Sequence, residues 1–147
     1  MSIYTSFAQM LTDAFVVTGN PYTIVEIRQA AIPTFPFAII GRAERNYGLN
    51  VEAGHFEVEL YEQYDSTLGS GDRFSNEASN RDAIENNYHA LIQALQGLNP
   101  VGGYLITPTY SINGIGNTDV GLYGVTANSS EVQARVARFT VKYGLKD

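Results

Sequence analysis

Apolar and polar positions along the chain follow two different periods. Phe56, Val58 and Leu60 alternate with Glu57, Glu59 and Tyr61, a two-residue repeat that predicts a strand from Val51 or His55 to Tyr64 with one buried face. Farther on, Ile84, Tyr88, Leu91, Ile92 and Leu95 recur at the spacing of one helical stripe. Ser79 or Asn80 is the expected cap of that helix, and Gly97 and Pro100 end it. Asp65–Asn80, between the two, is rich in Ser, Gly, Asp and Asn and is expected to be a long polar loop. Near the start, Ser2 is placed to cap a first helix that gathers Ile3, Phe7, Met10, Leu11, Ala14 and Phe15 on one face. Gly19-Asn20-Pro21 stops it, because Gly accepts the left-handed conformation and Pro cannot continue a helix.

The remaining segments add strands. Tyr22–Arg28 has mixed parity and is assigned as a strand; Pro33 and Pro36 flank an extended lead into the apolar run Phe37–Ala43. A polar turn at Asn46–Asn50 makes that run the antiparallel partner of the next strand. Tyr104–Thr109 is a further strand, with Pro108 suiting an edge or a bulge. Asn113–Ser130, carrying Gly114, Gly116, Gly121 and Gly124, is expected to be a second irregular segment with a short strand around Val120–Val125. In the closing strand, Glu131–Tyr143, Val132, Ala134 and Val136 share one parity, and Phe139, Val141 and Tyr143 the other. That switch predicts a one-residue bulge near Ala137. The expected fold is α+β: an antiparallel or mixed β-sheet with two main helices packed on one face and long loops or hairpin arms.

Length and charge narrow the function. A chain of 147 residues is most simply one domain, 1–147. The net charge of −6, with nine scattered Lys and Arg, excludes a general nucleic-acid binder, which needs clustered basic side chains against phosphate. Only Arg135, Arg138, Lys142 and Lys146 approach a cluster. An acidic wall past which DNA slides is compatible with this charge. With no cysteine, disulfides, thiolate metal sites and cysteine nucleophiles are excluded. Leu11–Val17 is too short to span a membrane and lacks the basic flank of a secretory signal, so no membrane role is expected and synthesis in the cytosol is.

No recognisable reaction centre emerges. His55, Glu57 and Glu59 share one face of a strand at steps of about 7 Å. Imidazole with carboxylates suits a divalent metal or an acid–base pair, but the other histidine, His89, sits mid-helix, and a solvent- or lumen-facing polar strand face explains the three residues better. Gly114-Ile-Gly116-Asn-Thr-Asp119 lacks the third glycine and the Lys-Ser/Thr of a phosphate loop, and a flexible hairpin tip accounts for its glycines. Ser66, Thr67, Ser70 and Ser75 have no nucleophile-elbow setting. No catalytic residue, metal or cofactor is expected. Ten tyrosines and no tryptophan supply aromatics with a polar handle, which suit interfaces as well as half-buried strands.

The order of elements resembles the tail terminator (tail completion) proteins of long-tailed bacteriophages. The residues that carry it are Pro36-Phe37-Ala38-Ile39-Ile40, His55-Phe56-Glu57-Val58-Glu59-Leu60, the helix Ile84–Leu95 with Gly97-Leu98, and Ala137-Arg138-Phe139-Thr140-Val141-Lys142-Tyr143. The likeness covers most of the chain as a layout and contains no signature motif. It implies a structural virion protein, not an enzyme, assembled in the host cytoplasm as a homo-oligomeric ring of six. Such a ring caps the tail tube, meets the head-tail connector or neck, and lets DNA pass through its lumen without specific binding. Glu57 and Glu59 are the candidate lumen-facing residues; Leu68, Asp72, Arg73, Asn113, Asn117 and Asp119 are the candidate assembly-loop residues. Another connector, neck or tube protein is the alternative, and a small α+β enzyme or ligand-binding domain using His55, Glu57 and Glu59 the more distant one.

Overall fold

Two helices cover one face of a five-stranded mixed sheet in the computed structural model, which describes residues 3–25, 34–47, 50–97, 110–127 and 130–145. The elements are α1 (Ile3–Thr18), β1 (Thr23–Val25), β2 (Phe37–Tyr47), β3 (Asn50–Gln63), α2 (Arg73–Gly97), β4 (Tyr110–Ala127) and β5 (Ser130–Leu145). The sheet order is β1-β2-β3-β5-β4. β1 runs parallel to β2, and every other pairing is antiparallel. The expected strand Tyr104–Thr109, the residues of Tyr22–Arg28 beyond Val25, and the Ser2 cap lie outside the described residues.

The amphipathic patterns explain the packing. α1 buries Phe7, Met10, Leu11, Ala14 and Phe15, the stripe that its spacing predicts, and ends at Gly19 with φ 71°. Phe7 stacks on Phe56 of β3 at 4.2 Å between ring centroids, and Phe56 packs on Tyr143 of β5 at 5.0 Å. α2 sets Tyr88 against Phe139 at 5.3 Å. Ala38, Ile40, Phe56, Val58, Leu60, Ala137, Phe139 and Val141 thus form the sheet's side of one core shared with both helices.

Three expectations fail for definite reasons. First, Asp65–Asn80 is not a long loop. α2 begins at Arg73, capped by Asp72, whose side chain accepts from the Ser75 amide at 2.9 Å; Ser79 and Asn80 lie inside the helix. Asn76 and Asn80 continue the buried stripe of Ile84, Tyr88, Leu91 and Leu95, so the stripe turns polar where a helix was not expected. Second, the described residues of Asn113–Ser130 are not irregular: residues 113–127 belong to β4 and Ser130 opens β5, with register shifts between Ile112 and Gly114 and between Asn117 and Asp119. Those two shifts space Ile112, Ile115, Val120 and Leu122 unevenly and hide the strand's two-residue period. Third, β5 has no bulge near Ala137, because its register with β3 is unbroken from Ala53↔Gly144 to Gln63↔Ala134. Both parities are buried because the second sheet face has its own apolar patch. There Phe37 stacks on Tyr61 at 4.7 Å, and Val136 lies opposite Tyr61.

Candidate functional site

The second sheet face is the first candidate surface. Alternation puts His55, Glu57, Glu59 and Tyr61 of β3 on it, opposite Lys142, Thr140, Arg138 and Val136 of β5. The two candidate carboxylates differ there. Glu57 is exposed, 68% by side chain, with His55 Nε2 3.3 Å from its Oε1. Glu59 accepts from Arg138 Nε, and Arg138 Nη1 reaches Asp119 of β4 at 3.5 Å. Burial alone would lower the Arg138 pKa, but hydrogen bonds to Glu59 and Tyr61 raise it, so its charge is fixed. Tyr123 lies with its ring 4.6 Å from the Arg138 guanidinium and donates its hydroxyl to Asp119; that bond pushes its own pKa up. Gly121 leaves room for that ring: a Cβ there would sit 3.0 Å from Tyr123 Cε2, and the ring would have to shift by a few tenths of an ångström. Glu59 is therefore a paired structural carboxylate, and Glu57 is the freely presented one.

The second surface is the turn before α2. Asp65 accepts from the Thr67 amide at 2.9 Å and from its hydroxyl at 2.6 Å, and those bonds hold its carboxyl below the usual range. Asp72 is held low in the same way, first by the Ser75 amide and then by the Ser70 hydroxyl. Asn76 Nδ2 donates to the Asp65 carbonyl at 3.0 Å and the Leu68 carbonyl at 2.8 Å. Asn80 donates to the Asp65 carbonyl and accepts from the Asp65 amide, both at 2.9 Å. Gly69, at φ 87°, lies against Ser75, where a Cβ would come within 2.8 Å of backbone atoms. This turn holds the start of α2 in one position and leaves Phe74 outward, 85% exposed.

A cleft is the third feature. It has a volume of about 380 Å³, with Pro21, Tyr22, Phe35, Pro36 and Gln63 among its lining residues. Glu62 and Arg135 also line it and pair at 2.9 Å. Asn87 donates to both Glu62 oxygens, at 3.1 and 2.9 Å, and the Tyr22 hydroxyl donates to the second. Burial first, and then the Glu62 charge, push the Tyr22 pKa far upward, so the phenol stays protonated and donating.

Of the candidate assembly residues, Leu68 and Asp72 lie on the turn and Arg73 opens α2. Asn113, Asn117 and Asp119 belong to β4 and not to a loop, a correction that follows from the two register shifts. The Gly114–Asp119 run is likewise strand and not a hairpin tip. His55 and Glu57 meet, whereas Glu59 is turned to Arg138; among the described residues no cluster of three His, Asp or Glu is arranged to hold a metal. Sequence pattern missed Phe74, because it falls in a polar stretch, and missed Glu62 with Arg135, whose 73-residue separation only the β3–β5 ladder closes. Among the described residues no helix is long and apolar enough to cross a membrane. No protein-family model matches the chain, and no curated protein is significantly similar to it.

Proposed function

We propose that this chain is a structural virion protein of the tail-terminator kind, forming a ring that caps a tail tube and joins it to the head or neck. The observation that carries the proposal is the one-sided sheet. Both helices pack on one face, and the other is a polar wall in which Arg138 is committed to Glu59 and Asp119 while Glu57 remains open. A wall on whose β3, β4 and β5 strands the carboxylates Glu57, Glu59 and Asp119 outnumber the cations Arg138 and Lys142 suits a lumen crossed by DNA, because an excess of cations against phosphate would retard the duplex. The order of elements, with a long β4–β5 hairpin closing the sheet, adds support from the family resemblance. In this role the partners are further copies of the chain, the tube protein and a connector or neck protein, and no step of chemistry is required.

The test is the mass of the purified protein, alone and mixed with tail tubes, together with electron microscopy of the mixture. A closed ring, of six copies by analogy, seated on tube ends is the expected result. Open-ended polymers would instead support a tube protein. A monomer that ignores tube ends would overturn the proposal.

A further inference from the structure

We propose that Asn113–Gly114, at the first irregularity of β4, is a self-modification site where the folded chain converts its own asparagine to aspartate and isoaspartate. These two residues form the one Asn-Gly pair in the sequence. The reaction is a cyclisation followed by hydrolysis. The Gly114 amide nitrogen attacks Asn113 Cγ, and the new N–Cγ bond closes a five-membered imide. The Cγ–Nδ2 bond breaks, and ammonia leaves with the proton that the Gly114 nitrogen gives up. Water then opens the imide at either carbonyl. Cleavage at Cγ leaves aspartate; cleavage at the main-chain carbonyl leaves isoaspartate, with the backbone rerouted through Cβ and Cγ.

The backbone around such a pair decides whether it reacts. A regular antiparallel strand holds ψ near about +135° and keeps its amides in the ladder, which hinders closure of the ring. The register of β4 removes that restraint at Asn113. Ile112 pairs with Tyr143 and Gly114 with Lys142, which are consecutive residues of β5, so Asn113 is an extra residue without a ladder partner. A bulged residue leaves the extended conformation, and turning it breaks no cross-strand pair of its own.

Gly114 supplies a second observation. A Cβ built there meets nothing within 4 Å, and its φ lies outside the left-handed region, so neither space nor backbone requires a glycine. Its effect is on the chemistry: with no side chain, the attacking nitrogen is unhindered. The bulge also lets the fold outlast the product. Isoaspartate lengthens the main chain by one atom, at a point where the ladder already accommodates an extra residue. Pairing on either side, Tyr110–Ile112 with Tyr143–Leu145 and Gly114–Asn117 with Phe139–Lys142, is kept. Each conversion adds one negative charge to the chain's −6. None of this depends on the proposed ring.

The test compares the folded wild-type chain with a synthetic peptide of Tyr110–Gly116, both held in neutral buffer. Conversion is followed by mass spectrometry of proteolytic fragments. The folded rate is expected to lie within about tenfold of the peptide's, whereas a site that reacted only on global unfolding would be slower by a factor on the order of a thousand or more. A folded rate more than about tenfold below the peptide's overturns the proposal. Isoaspartate is identified with an isoaspartate-specific methyltransferase; conversion to aspartate alone would mean direct hydrolysis and overturns the cyclisation. G114A fits the open space at that position and should slow conversion by at least about tenfold in chain and peptide alike. An unchanged rate in G114A would rule out attack by this nitrogen.

Discussion

Arg135 and Glu62 face each other across the β3–β5 ladder, and Nε and Nη2 of the arginine both donate to Glu62 Oε1, at 3.1 and 2.9 Å. The pair is nearly closed off from solvent, with side-chain exposures of 16% and 10%. Arg135 Nη1 continues to Asn80 Oδ1 at 3.2 Å, and Asn80 holds the backbone of Asp65. One chain of polar contacts therefore connects the cleft floor to the turn that presents Phe74.

Removing Glu62 should be costly because it leaves a buried guanidinium without its partner. Glu62→Ala is expected to lower unfolding free energy by about 3–5 kcal/mol, and Glu62→Gln by less, since the amide still accepts from Arg135. Urea denaturation of the two variants checks the order. Equal losses would mean that the hydrogen bond kept by the amide contributes nothing and that the carboxylate charge carries the whole effect.

Leu91 tests the shared core. It is 1% exposed in the stripe of α2 that faces the sheet, so Leu91→Ala should cost about 2–5 kcal/mol by lost burial and a residual cavity. A loss well below 1 kcal/mol in chemical denaturation would mean that α2 does not sit on the sheet as described.

What sequence made legible, and what it hid, follows from side-chain chemistry at particular positions. α1 and β3 were readable because their buried positions are apolar at one unbroken period, from Phe7 to Phe15 and from Phe56 to Leu60. The first turns of α2 were not, because the stripe is completed by Asn76 and Asn80, whose amides are used on the Asp65 and Leu68 carbonyls. β4 was hidden by its two register shifts, and the apolar patch of the second sheet face by the parity of Val136, which suggested a bulge. On the candidate wall, Glu57 and Glu59 were placed on the correct face, but their inequality depends on Arg138, a residue 79 positions away from Glu59.

The turn before α2 should loosen in acid. The Asp65 and Asp72 carboxyls are held below their ordinary pKa by hydrogen bonds made to the charged form. A carboxyl lowered in the folded state stabilises it fully above the unfolded pKa, and that contribution is lost as pH falls through the folded value, below about 4. Amide exchange at Thr67 and Ser75 should accordingly lose protection in this window while core amides such as that of Val58 keep theirs. Asp72→Asn retains a capping oxygen without its titration, so the pH dependence at Ser75 should flatten in that variant. Unchanged protection at Ser75 in the wild type would show that the capping bond does not control the turn.

Glu57 is where the wall's charge can be altered without disturbing the fold. Changing Glu57 and Glu59 together would also strip Arg138 of its partner, so a loss of function in that double variant would be ambiguous. Glu57→Lys alone acts at an exposed position whose side-chain neighbour is His55, and its stability should stay within about ±0.5 kcal/mol of wild type. If the wall lines a lumen, the substitution places a ring of cations around the duplex. Particles carrying it should release their genome more slowly at low salt, and the delay should shrink as salt rises, because phosphate contacts are screened and exchanged for counterions. Release that is as fast as wild type at low salt would place Glu57 on the outside of the assembly and remove this sheet face from the channel.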